Sequence, residues 1–222
     1  MSLNCYQQRA VAWALFPVYL LWLLNGFYLN ALARKGVPLF WLVDTLQWIG
    51  LPLILLTLLS RNAAVLPQHF GFSTHAVSWK RLPLQSLVAF ASMGLTFVVI
   101  RNISWRLLGY PKSMFSWGQV LTDGTLGTVV WIYSALTAGI VESIFFIGLP
   151  WLWFSSRRQE PSRLIFVGAT ASVFALAHWE QGAHIIVAAF ATHIVACLCY
   201  FRFGSLWPVA AGHAAVDLCL FA

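Results

Sequence analysis

The sequence predicts an all-α fold, a polytopic integral membrane helix bundle of about seven helices (six to eight), forming a single membrane domain over 1–222. Three observations predict it. The 222 residues are 60% hydrophobic and only 9% charged, where a soluble domain carries about 25% charged residues. Apolar stretches recur along the whole chain, each close to the roughly 20 residues that cross a hydrocarbon core. The basic residues sit singly or in short groups between those stretches, as charges flanking membrane helices do. The net charge of +7 is explained this way and does not point to nucleic acid.

The stretches fall near 10–32, 38–59, 83–100, 125–154, 164–181, 183–201 and 205–221, the last being short. The first is followed by `NALARKG`, whose Ala-x-Ala mimics a signal-peptide cleavage site. The run before it is too long for a signal h-region of about 7–15 residues, so it reads as a retained first helix. Residues 60–82 mix aromatic and basic side chains, as an interfacial segment does. Residues 102–123 set Trp105, Tyr110 and Trp117 beside Arg106 and Lys112 and are expected at the headgroups. The loop `SSRRQEPSR` (155–163) is the one dense charge cluster. With seven crossings, eight Lys and Arg lie on the N-terminal side and five on the other, which favours a cytoplasmic N-terminus. The expected location is the inner (cytoplasmic) membrane of a prokaryote. Cys5, Cys197, Cys199 and Cys219 read as small hydrophobes, and Cys197 and Cys199, two apart, point to different sides of a helix.

Against this background the stretch `AGIVESIFFIGLP` (138–150) stands out, because Glu142 is an acid in a run otherwise fit for lipid. An ionisable group at bilayer depth costs roughly 2.5–3.5 kcal/mol even on a lenient scale and marks a functional site by default. His178 in `FALAH`, His184, His193, and His213 with Asp217 in `GHAAVD` are the other ionisable groups in apolar surroundings toward the C-terminus. His213 and Asp217, four apart, share a helix face. If the helices flanking `SSRRQEPSR` form a hairpin, Glu142 and His178 lie roughly 18–21 Å from that loop at 1.5 Å per residue. His213 and Asp217 lie roughly 12–18 Å from the same side. Four polar groups from three helices therefore converge at one level, as at an active site or an ion path. His184 and His193 are nine apart and point about 180° from each other. His193 is assigned to packing and His184 to the interface.

The order of these residues resembles the CPBP (Abi) family of intramembrane glutamic endopeptidases, which includes the CAAX prenyl endopeptidases and bacteriocin-processing or immunity proteins. That family's pattern is E-E-x-x-x-R, then F-x-x-x-H, then H-x-x-x-N. Here it is met by Glu142, by Phe174 to His178, and by His213 to Asp217, over a core of about 125–220, with a weaker echo at `HFGFS`. Two departures stand in the first motif: Ser143 replaces the second glutamate and Ile147 the arginine. Those positions are four apart, the spacing of an ion pair, so losing both leaves no orphan charge. Ser143 instead extends a small-residue stripe, Ala135, Gly139 and Ser143, that admits a close neighbouring helix. Asp217 stands where asparagine is usual.

The resemblance implies peptide hydrolysis without a metal or other cofactor. The first glutamate and the F-x-x-x-H histidine, here Glu142 and His178, would activate a water, and His213 and Asp217 would stabilise the oxyanion. Desolvation strengthens a carboxylate as a base, and donors act strongly in a water-poor cavity. Asp217 can donate only when protonated; otherwise it orients His213 from one turn away. Other readings stay open: a zinc-dependent membrane protease, although `HWEQGAH` is not H-E-x-x-H; a serine protease through Ser73 of `GFSTH`; a proton-coupled transporter; and a non-catalytic immunity or partner-binding protein of the same fold. The expected partners are the bilayer and a membrane-anchored protein or peptide, cut near its C-terminal or anchored segment. Because the site lies beyond mid-membrane from `SSRRQEPSR`, an exported, sorting-type substrate is favoured over a prenylated CAAX protein.

Overall fold

In the computed structural model, residues 3–35, 37–73, 79–113, 124–157 and 161–220 are described. The chain runs as α1 (Cys5–Leu23), α2 (Asn25–Lys35), α3 (Val37–Thr45), a π-helical turn (Leu46–Gly50), α4 (Leu51–Ala63) and α5 (Leu82–Leu107). It continues as α6 (Gly124–Thr137), a π-helical segment (Ala138–Gly148), α7 (Leu149–Ser156), α8 (Arg163–Leu176), α9 (Ala183–Phe203) and α10 (Trp207–Leu220). No strand occurs among the described residues. The fold is the all-α membrane bundle that the apolar stretches predict.

Each of the seven stretches is helical, but they are not seven equal spans. Pro38–Ala63, Leu82–Leu107, Gly127–Ser156 and Ala183–Phe203 are long and apolar enough to cross a membrane. The helices α8 and α10, of 14 residues each, reach only about 21 Å against a core of about 30 Å. The first stretch is not one helix either: it bends by 54° between α1 and α2. The break has a local cause. The Trp179 indole donates to the Leu23 carbonyl at 2.9 Å, and the Asn25 amide donates to the Ala177 carbonyl at 3.0 Å. Gly26 lies so close beneath Trp179 that a Cβ there would stand 2.5 Å from the ring. The turn after α8 thus takes the groups that would have continued α1.

Contacts fix which ends lie together. Gln7 donates to the Ala63 carbonyl at 2.8 Å and Gln8 to the Ser156 carbonyl at 3.2 Å. The starts of α1 and α8 and the ends of α4 and α7 therefore share one face, called here the 155–163 face. The end of α5, the start of α9 and the α8–α9 turn lie on the other, where Ser104 donates to the His184 carbonyl at 3.1 Å. Interfacial features follow the sequence reading in part. Exposed Trp105 and Tyr110 meet edge-on at 5.0 Å. Phe70 is buried, and the Gly71 carbonyl accepts from Leu206 at 2.9 Å, anchoring the start of α10. Residues 74–78, Trp117 and Arg158 lie outside the described residues. Cys197 and Cys199 are buried and face different helices, near Thr170 and Ser92, whereas Cys5 and Cys219 are exposed, against the expectation of four buried thiols.

Both π-helical stretches end two residues before a proline, Pro52 and Pro150. A proline ring crowds the carbonyl four residues back and brings no N–H, and a wider preceding turn relieves that contact. Around Pro150 the two carbonyls deprived of a donor are Phe146, four back, and Phe145, five back. The Tyr19 hydroxyl donates to the Phe145 carbonyl at 2.6 Å. Tyr19→Phe leaves a buried carbonyl unpaired. It is expected to cost about 1–3 kcal/mol, read as a lower thermal unfolding midpoint in detergent; an unchanged midpoint would show that another donor suffices.

Helix α10 is held from two sides by glycines. A Cβ on Gly139 would lie 2.6 Å from the Ala214 nitrogen and 2.7 Å from the Ala210 carbonyl oxygen. One on Gly212 would lie 2.7 Å from the Ala89 side chain of α5. Ala135 and Ser143 are buried on the same stripe as Gly139. The stripe read from the sequence is where α10 approaches.

Candidate active site

A cavity of about 590 Å³ opens among α2, α3, α5, the π segment, α9 and α10. Glu142, His178, His213 and Asp217 all line it. Its other walls are aromatic, with Trp22 stacked on Trp48 at 4.5 Å and Phe146 meeting Phe174 edge-on at 5.0 Å. Asn102, Trp105, Ser113, Gln181 and His184 line it toward the face opposite 155–163. The cavity is accordingly displaced to that face, as the residue counting predicts.

Glu142 sits in the π segment, which is buried from Glu142 to Gly148. Its carboxylate oxygen lies 3.4 Å from Nε2 of His213, whose other close acid is Asp217 at 3.7 Å. These are ion-pair separations, long for a direct hydrogen bond. With carboxylate oxygens on both sides, the His213 tautomer carrying hydrogen on Nε2 is the favourable one. His178 is set differently. Its Nδ1 lies 2.8 Å from the Phe174 carbonyl, which can only accept, so Nδ1 carries the hydrogen. A neutral His178 then keeps a lone pair on Nε2, free to accept from a water or a substrate group. The Phe174 ring lies among three histidines, 4.7 Å from His178, 4.6 Å from His193 and 6.2 Å from His213.

His193 is fully packed, stacked on Phe174 at 4.6 Å and meeting the Phe146 ring edge-on at 6.1 Å. His184 is half-buried at the start of α9 and reaches the cavity mouth. Ser143 is buried and donates to the Gly139 carbonyl of its own helix at 2.6 Å. Ser143→Ala exchanges that bond for a methyl of similar volume and is expected to leave cleavage within about twofold and stability within about 1 kcal/mol. A large loss of activity would assign the serine to the chemistry. Among the described residues, no three His, Cys, Asp or Glu side chains are placed to share a metal ion.

The sequence reading missed two further acids. Asp44 and Glu180, each no more than 5% exposed, also line the cavity. The signal was available. Asp44 is an acid within the apolar stretch 38–59, the same anomaly that singles out Glu142. Glu180 was weighed only as part of a failed zinc motif.

Residues 124–219 match the protein family described as Rce1-like, Type II CAAX prenyl endopeptidase Rce1-like. The matched segment runs from α6 to α10 and holds Glu142, His178, His213 and Asp217; residues 1–123 lie outside it. No curated protein and no solved structure matches the chain.

Proposed function

We propose that this integral membrane protein is a glutamic-type intramembrane endopeptidase, a reading supported by the match of residues 124–219 to the Rce1-like protease family. The observation that carries the reading is buried Glu142, its carboxylate 3.4 Å from His213, in a cavity that His178 and Asp217 also line. Glu142 takes a proton from a water whose other hydrogen is held by Nε2 of His178. The water oxygen bonds to the scissile carbonyl carbon, and the electron pair of the C=O bond moves to its oxygen. Nε2–H of His213, with Asp217 when protonated, donates to that oxyanion. When the tetrahedral intermediate collapses, the C–N bond breaks and the proton on Glu142 passes to the leaving nitrogen. The products are a new amine and a new C-terminal carboxyl group, which becomes a carboxylate by giving the water's second proton to Nε2 of His178. The substrate is a membrane-anchored protein, and the chain resides in the inner membrane of a prokaryote.

The proposed mechanism draws on no metal. Cleavage of the cognate substrate by protein purified in detergent is expected to survive strong chelation. Activity lost to a chelator and restored by zinc would replace the glutamic mechanism with a zinc-dependent one.

The cavity's displacement supports an exported substrate, provided that the 155–163 face is cytoplasmic. Ser156→Cys, in a background without the native cysteines, is expected to resist a membrane-impermeant thiol reagent in intact cells. Ready labelling would reverse the orientation and turn the mouth to the cytosol, where a prenylated C-terminus is the better substrate.

A further inference from the structure

Among the described residues four acids, Asp44, Glu142, Glu180 and Asp217, line this one cavity, against one lysine or arginine, Arg101. For a chain of net charge +7 that partition is inverted. The proposed chemistry uses Glu142 and Asp217. It gives no task to Asp44 or Glu180.

Those two acids line the same cavity. Asp44 ends α3 and accepts from the Tyr133 hydroxyl at 3.0 Å, while Glu180 lies in the turn between α8 and α9. The Tyr28 hydroxyl is within electrostatic reach of both. Glu180 is the one short of partners. Glu180, 2% exposed, accepts from Gln181 at 3.3 Å through one oxygen, and its other oxygen is buried with none. The Asn25 carbonyl oxygen beside them is also buried and unpartnered, its amide nitrogen being committed to Ala177. Among the described residues neither acid forms an ion pair with Arg101 or any other base. Buried acceptors without partners are costly, and a group that satisfies them is a cation with several hydrogens to donate.

We propose that Asp44 and Glu180 form a specificity subsite for a basic side chain of the substrate, an arginine or lysine flanking the bond that is cut. The inference rests on the endopeptidase reading and supplies its substrate class. The subsite lies between the mouth and the reacting groups. Asp44 is six residues from Pro38, where its span begins on the mouth face, and Glu180 is two residues from His178. Tyr133, which holds Asp44, precedes Glu142 by nine residues on one continuous helix, about 13 Å of rise. An extended peptide covers that in about four residues. An arginine guanidinium reaches two carboxylates with separate N–H groups, and lysine does so with three donors on one nitrogen. A neutral residue at that position would leave the second Glu180 oxygen without a partner. Asp44 lies outside the segment that matches the protease family, so this selectivity belongs to the chain's own N-terminal half.

The test uses the full chain in detergent and fluorescent apolar peptides of about twenty residues, a spanning length. One arginine is walked along the peptide, each member paired with a citrulline counterpart that keeps size and removes charge. A second series pairs lysine with norleucine. Affinity is read by anisotropy with the unsubstituted protein and with Glu142→Gln, and cut sites by mass spectrometry. At a preferred position the charged peptide is expected to bind at least about tenfold more tightly, the scale of a charge-assisted hydrogen bond. Asp44→Asn and Glu180→Gln, checked for an unchanged unfolding midpoint, are each expected to shrink that ratio. Where cleavage occurs, it should fall at a constant offset of about three or four residues from the base. Equal affinity for charged and neutral peptides across both series overturns the subsite, and that comparison needs no variant to fold. So does a charge preference that survives in both variants. Binding preference without cleavage of any peptide or membrane protein would overturn the endopeptidase reading and leave the subsite standing.

Discussion

Glu142→Gln is expected to abolish peptide cleavage while the protein folds and inserts as before. Glutamine keeps the size and most of the hydrogen-bonding capacity of the side chain but has no oxygen basic enough to take a proton from water. General-base catalysis is worth about 10²–10⁴-fold by itself, and the loss of water positioning adds to it. Stability should hold or rise, because a neutral amide is less costly to bury than a charge. The 3.4 Å contact to His213 sharpens the expectation, since the amide can still accept from Nε2–H and the imidazole keeps a partner. His178→Ala should fall nearly as far, and the double variant little further, as residues acting on one water do. The measurement is the rate of cleavage of the cognate substrate by purified variants of matched unfolding midpoint. Full activity in Glu142→Gln would remove the protease reading and leave a non-catalytic, partner-binding protein of this fold in front.

What the sequence made legible, and what it hid, follows from how local each signal is. Helix identity and the apolar stretches are local and were read directly. The four motif residues were legible because their charges stand out against lipid-like neighbours, and because Glu142 and His178 lie at similar distances from a single loop. The break at Leu24 was not legible. Asn25-Gly26 is a turn signal, but it lies inside an apolar run, and the contact that takes the Leu23 carbonyl is made by Trp179, more than 150 residues away. The π segment is of the same kind. Pro150 is visible in the sequence, but Tyr19, which pairs the freed Phe145 carbonyl, comes from another helix. Asp44 was visible as an acid in an apolar stretch but belongs to no recognisable motif, and that it lines one cavity with Glu180 is not a local property of the chain. Ser143 went the other way: the small-residue stripe explained it in advance, and Gly139 against Ala210 and Ala214 is the contact that stripe makes.

Gly139→Val is expected to cost more than any other packing change, although the side chain touches no reacting group. Even the first added carbon would stand 2.6 Å from the Ala214 nitrogen and 2.7 Å from the Ala210 carbonyl. Those are backbone atoms of α10, so no rotamer change relieves the clash. Helix α10 cannot retreat freely, because Gly212 already lies against the Ala89 side chain and Phe90 nitrogen of α5. Overpacking in so tight a seam costs about 1–3 kcal/mol or more. The displacement falls on the helix that carries His213 and Asp217, and a shift of about 1 Å at such a site is worth about a hundredfold in rate. Gly139→Ala should show the same direction with smaller size. The distinguishing measurement sets kcat beside the unfolding midpoint. A displaced α10 lowers both, whereas a merely loosened protein regains its kcat when assayed well below the new midpoint. Wild-type activity and stability in Gly139→Val would mean that α10 does not approach this glycine closely, and the position of His213 beside Glu142 would fall with it.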